Sequence, residues 1–211
     1  MDEAIIRLLI IVAHDQWNTN WRVLSNMETE FGKAAATVGR WYARHLNGRG
    51  PAISYVRRFY SEYDGKEFED DLWGKVAAEI TFQEAWSPQN GIVAAVWGCR
   101  PGATGYGVKQ HESNTMLAAL DGRILARITG DNDSHRNFRH SDEWDDGRLD
   151  PHLGALAHEI GHFAVDHDEN RPDGVMWLMD LGGSWVNYPN VELSHDSQAD
   201  MAASRFFKFA Y

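Results

Sequence analysis

The stretch DPHLGALAHEIGHFAVDHD, residues 150–168, constrains the chain more than any other. Asp150 and Pro151 read as an N-cap and a first-turn proline, and so open a helix. On it His158 and His162, the ends of an HExxH pentad, stand at i and i+4 and project from one face. Two imidazoles so placed can reach one tetrahedral zinc at about 2.0–2.1 Å. Glu159, one step round, cannot share that coordination but can lie beside a metal-bound water. There it would accept a proton as the water attacks a peptide carbonyl. A catalytic zinc needs three protein ligands and an open position. A helix continued through His167 and Asp168 would rotate both away from the metal. The chain is therefore expected to break after about Ala164 and fold back.

The remaining sequence bounds what surrounds this helix. At 211 residues the chain fits one domain, or one domain with an extension. An apolar content of 43%, with nine Trp, supports a real core and excludes global disorder. The net charge of −11 argues against a nucleic-acid partner, which calls for clustered Lys and Arg. No run approaches the ~18 apolar residues of a membrane span. The opening MDEAIIRLLIIVAHD has acids before its apolar run and no small-residue cleavage site, so it reads as a strand and not as a signal peptide. The expected compartment is extracellular if a signal was removed ahead of this chain, and cytoplasmic otherwise. The single Cys99 excludes an internal disulfide framework. Nothing in the pattern specifies an oligomeric state.

Periodicity supplies the other elements. Ile5 to Ala13 reads as a buried strand. Leu24, Met27, Phe31, Ala35, Val38, Tyr42 and Leu46 recur at helical spacing, with Asn20 as N-cap and Gly48 as stop. NGRGP at 47–51 is the best internal boundary. AISYVRRFY reads as a strand, residues 67–86 as one helix carried by Phe68, Leu72, Val76 and Ile80, and GIVAAVWG as a strand. CRPGATGYGVKQHESN reads as a loop. TMLAAL and RILARIT flank Asp121-Gly122 and predict a hairpin. Ser194 caps a last helix with Ala199, Ala203, Phe206, Phe207 and Ala210 on its buried side.

The zinc helix and the segment after it resemble the metzincin metallopeptidases, the matrixin branch most closely. The extended family pattern is HExxHxxGxxH, followed by a tight turn that holds a methionine beneath the metal. Here DENRPDGVMW comes after His167, and Met176 sits at the position of that Met-turn. DGRILARI looks like the family's edge strand, NFRHSDEW like its last strand, and LSHDSQAD like the start of its final helix. The match covers roughly 51–211 and is specific at the zinc helix. It implies an α+β fold: a zincin-like mixed sheet with an antiparallel edge strand, an active-site helix and a C-terminal helix. It also implies a zinc endopeptidase whose protein or peptide substrate lies along Ile124, Leu125 and Ala126, beside a pocket that includes Trp177.

The chain departs from the pattern in the turn. Val165 stands where the family has glycine, and the segment to His167 is one residue short. Counting back from Met176 makes His167 the third ligand; counting forward from His158 makes it Asp168. His167 is favoured, because neutral imidazole is the commonest metal ligand, and a remote carboxylate such as Asp180 is a further alternative. Arg127 replaces the histidine of a structural zinc, so a second zinc is not implied. Leu178 takes the place where some relatives have a metal-binding Tyr. Tyr188 reads as a surface or core residue before an oxyanion ligand, and Cys99 as a buried thiol. His140 and the acids from Asp131 to Asp150 lack the ordered spacing of a calcium site and read as a solvated loop, so Ca2+ is not supported. Residues 1–50 form a strand–helix extension, integrated or propeptide-like, ahead of a catalytic domain at 51–211. The competing reading of the whole is a catalytically inactive binding protein that keeps the fold and the zinc. Glu159 speaks against it, since a structural zinc site has no use for a carboxylate at that spacing.

Overall fold

A computed structural model describes residues 4–83, 90–99, 105–110, 116–120, 122, 125, 151–167, 177–179 and 191–211. Its central strand β1, Ile5–Val12, lies inside a five-stranded sheet between the parallel strands β3, Ala52–Tyr60, and β4, Gly91–Trp97. Next to β4 lies the parallel strand β6, Met116–Leu120, and next to β6 the antiparallel strand β5, Gly105–Gln110, giving the order β3-β1-β4-β6-β5. A two-residue strand β2, Arg49–Gly50, pairs with β7, Phe209–Ala210.

Helices cover both faces of the large sheet, which is why β1 reads as an apolar run interrupted only by Arg7. Ile6, Leu8, Ile10 and Val12 face one core with Phe31 and Val38 of α1, Trp21–His45, and with Leu156 and Ile160 of α4, Pro151–Gly161. Leu9 and Ile11 face the other core with Phe68 of α2, Gly65–Asp70, and with Val76 and Ile80 of α3, Leu72–Gln83. The last helix is α5, His195–Ala203. The mixed α+β class, the antiparallel edge strand, the motif helix and a C-terminal helix are all present.

Local signals set several boundaries. The Asn20 side chain accepts from Arg22 N–H at 2.9 Å and starts α1. Asn47 and Gly48, at φ 54° and 80°, end it, with Gly48 N–H donating to Ala43 O at 2.7 Å in a left-handed cap. Ser194 caps α5 by accepting from Ser197 N–H at 3.0 Å.

Four expectations are corrected. The single helix over 67–86 is two, because Asp71 leaves the helical conformation and its side chain accepts from Gly74 N–H at 2.9 Å to start α3. The stretch read as a loop contains β5, whose glycines mask a strand. The hairpin across Asp121-Gly122 does not form. β6 already has β4 on one side and β5 on the other, and Gly122 and Leu125 are helical. The antiparallel edge of the described sheet is 105–110; the stretch 121–128 that resembled a family edge strand lies, apart from Gly122 and Leu125, outside the described residues. Finally, α5 stops at Ala203 and buries Ser197 and Met201 while Ala199 and Ala203 are exposed; Phe206 and Phe207 are buried in the turn beyond it, and Ala210 is exposed in β7.

Candidate metal centre

The motif helix carries GALAHEIGH against α1 and the sheet, so its small and aliphatic residues are buried on nearly every side. Pro151 is its first residue, as expected of a proline at that position. Phe163, just past the helix, lies against the bare backbone of Gly91, so this end of α4 sits at the start of β4.

The helix ends at Gly161, and the turn after it replaces the missing glycine by tightening. Phe163 N–H donates to Ile160 O at 3.1 Å and Ala164 N–H to Gly161 O at 2.9 Å, both three residues back. Val165 N–H also reaches Gly161 O, at 3.1 Å. The Val165 carbonyl then accepts from His162 Nδ1 at 3.1 Å. No left-handed residue occurs here, since Asn47 is the non-glycine residue with positive φ among those described. A turn closed by three-residue spacings advances the chain faster than a helix, which suits a segment one residue short.

Past this turn His167 returns to the helix. His158, His162 and His167 each offer one ligand atom, and these atoms lie within 4.8 Å of one another. His158 and His162 are buried, and His167 is half-exposed. The His167 ring lies 5.2 Å from that of His158 and 4.6 Å from that of His162, centroid to centroid.

The hydrogen bonds fix how the two helical rings present themselves. His158 Nδ1 lies 2.6 Å from Leu178 O, and His162 Nδ1 lies 3.1 Å from Val165 O. A carbonyl only accepts, so each Nδ1 carries the hydrogen and each neutral ring turns a bare Nε2 outward. The two Nε2 atoms are 3.1 Å apart. Nitrogens sharing one tetrahedral zinc at about 2.0–2.1 Å stand about 3.3–3.4 Å apart. Two facing lone pairs at this distance call for a proton or a cation between them. Burial lowers the His162 pKa, with the charge of His167 acting the same way against the opposing pull of the Val165 carbonyl and Asp166. The pair of facing Nε2 atoms can thus accept a cation.

Glu159 completes the fit. It is 6% exposed, and its Oε2 is buried with no hydrogen-bond partner among the described residues. Burial alone pushes its carboxyl up to about 8. An unpartnered buried carboxylate oxygen is costly unless something polar or charged comes to it. Three imidazoles and an adjoining carboxylate are thus a donor set suited to zinc, with oxygen chemistry beside it.

Beneath the helix lies a short segment that enters a turn at Leu178. Trp177 bridges Glu192 in parallel, and Leu178 N–H donates to Glu192 O at 2.8 Å, which aims the Leu178 carbonyl at His158. Met179 is fully buried under Gly161; a Cβ there would come within 2.4 Å of its sulfur. The support that Leu178, Met179 and the Val165 carbonyl give the site is not evident from sequence. For Met179 a signal existed, a second methionine three residues after Met176. For the carbonyls none did, since any residue type supplies one.

Among the other expected residues, Trp177 is half-buried, and Leu125 is fully buried in the core on the α1 and α4 face of the sheet. Cys99 is a buried thiol. Asp168, Met176, Ile124, Ala126, Arg127, His140, Asp180, Tyr188, the segment 131–150 and the stretch NFRHSDEW lie outside the described residues. No described helix is long and apolar enough to cross a membrane.

No protein-family model matches the chain, and no curated protein matches it significantly. Among solved structures the chain is similar to metalloproteinase-II from Bacteroides fragilis, with a TM-score of 0.45 and 15% identity over 95% of this chain and 53% of that one. It is similar to archaemetzincin from Methanopyrus kandleri at a TM-score of 0.39 and 11% identity, over 92% of both chains. A structure described as a chaperone-substrate complex gives 0.42 and 12%, over 96% of this chain and 34% of that one. The chain thus spans about a third and about half of two of these proteins. With TM-scores of 0.45 and below, the chemistry of the site rests on its own residues.

Proposed function

We propose that the protein is a zinc-dependent endopeptidase of metzincin type. The observation that carries the reading is the convergence of the ligand atoms of His158, His162 and His167 within 4.8 Å, with the unpartnered buried oxygen of Glu159 on the same helix. The three imidazoles would hold the metal, with His167 preferred to Asp168 as third ligand. Bound there, zinc supplies a Lewis acid that polarises a carbonyl and acidifies water. Glu159 accepts the proton of the attacking water and passes it to the leaving amine. Leu178 O and Val165 O hold the rings of His158 and His162 in the tautomer that leaves Nε2 free to ligate. Met179 supports the helix from below. Trp177 contributes to the wall on which a substrate side chain rests.

A mixed peptide library tests this directly. Protein loaded with zinc should cleave it, lose activity on chelation, and recover when one equivalent of zinc returns. Zinc bound stoichiometrically without any cleavage would support the inactive binding protein instead.

A further inference from the structure

We propose that Tyr42 of α1 is a positioning residue of the metal centre, holding the end of α4 that carries His158, Glu159 and His162. The inference rests on the metal-centre reading above and adds to it a residue from the first fifty. The Tyr42 hydroxyl donates to the carbonyl of Ala157, the residue before His158, at 2.6 Å in a fully buried setting. The helical ladder already pairs that carbonyl with Gly161 N–H. The phenol therefore adds a bond on the spare lone pair of a group that folding alone has satisfied.

Tyr42 is itself firmly seated. Its ring meets Trp41 and Phe207 edge-on, with centroids 5.1 and 5.0 Å away. Its hydroxyl also occupies the space beside Gly161, where an added Cβ would lie 3.0 Å from the oxygen and 2.4 Å from the sulfur of Met179. At Gly161 the last turn of α4 thus packs against both a hydroxyl from α1 and the thioether of Met179, with no room for a side chain. A bond to main chain moves the helix as a body, so Ala157, His158 and Glu159 shift together if it is lost. Metal sites lose affinity and activity on shifts of a few tenths of an ångström, because ligand distances are that narrowly defined.

The test compares Tyr42→Phe with Val38→Ala, a substitution of a fully buried α1 residue in the same core. Phenylalanine keeps the ring packing and removes only the hydroxyl. Zinc affinity is read by competition with a chromophoric chelator, the geometry by the visible spectrum of the cobalt-loaded protein, and turnover by kcat and KM on one peptide. Tyr42→Phe should weaken zinc binding about tenfold, alter the cobalt spectrum, and lower kcat more than it raises KM. Val38→Ala should lower thermal stability while leaving affinity, spectrum and kcat as in the wild type. The proposal is overturned if Tyr42→Phe leaves all three unchanged, or if Val38→Ala reproduces its losses. A wild type that binds no zinc would instead overturn the metal reading itself, and this proposal with it.

Discussion

Glu159→Ala is expected to leave zinc and fold in place while lowering peptidase activity by roughly 10²–10⁴-fold, the usual contribution of a positioned proton-transfer group. The side chain is buried on the metal helix, its Oε2 has no hydrogen-bond partner among the described residues, and burial holds its carboxyl near 8. Removing the side chain takes away an Oε2 that accepts no hydrogen bond among the described residues, so the main loss is of proton transfer. Zinc content and the thermal transition should therefore stay close to wild type while turnover collapses. Cleavage of the peptide library at the wild-type rate would show that Glu159 handles no proton in the reaction.

The second large effect concerns the third ligand. His167→Ala should strip the metal, because two imidazoles alone hold zinc far more weakly than three protein ligands. Asp168→Ala should cost only about 10–100-fold in affinity, as a neighbour that acts through hydrogen bonding. The motivation is that the short turn after Gly161, closed by the His162–Val165 bond, brings the His167 ring within 5.2 Å of His158 and 4.6 Å of His162. Zinc retained in His167→Ala and lost in Asp168→Ala would mean that aspartate oxygen, and not imidazole, completes the site.

What was legible in the sequence depended on whether a structural choice leaves a pattern in residue types. IIRLLIIV announces a strand covered on both faces, and i, i+4 histidines announce a shared helical face, because both are periodicities. Asn20, Ser194 and Gly48 mark helix ends through side-chain oxygens and a left-handed φ. Asp121-Gly122 misled because turn chemistry is local, whereas the pairing of β6 is decided by β4 and β5, which already fill its two edges. β5 was hidden because glycines dilute the alternation of GYGVKQ. The turn after His162 could not be read from a glycine it lacks, since its closure comes from main-chain bonds and from His162 itself. Tyr42 and Ala157 are 115 positions apart and meet through a backbone carbonyl, which leaves no trace in the identity of the residue that supplies it. The same holds for Leu178 and His158.

The most direct test of the central claim is an anomalous-difference map, collected on either side of the zinc edge, from crystals of protein purified without added metal and then given one equivalent of zinc. One peak per chain is expected, bound by nitrogens of His158, His162 and His167 at about 2.0–2.1 Å, with a coordination position left to solvent beside Glu159. No peak at these histidines, or a zinc whose fourth position is closed by another protein side chain, would contradict the claim.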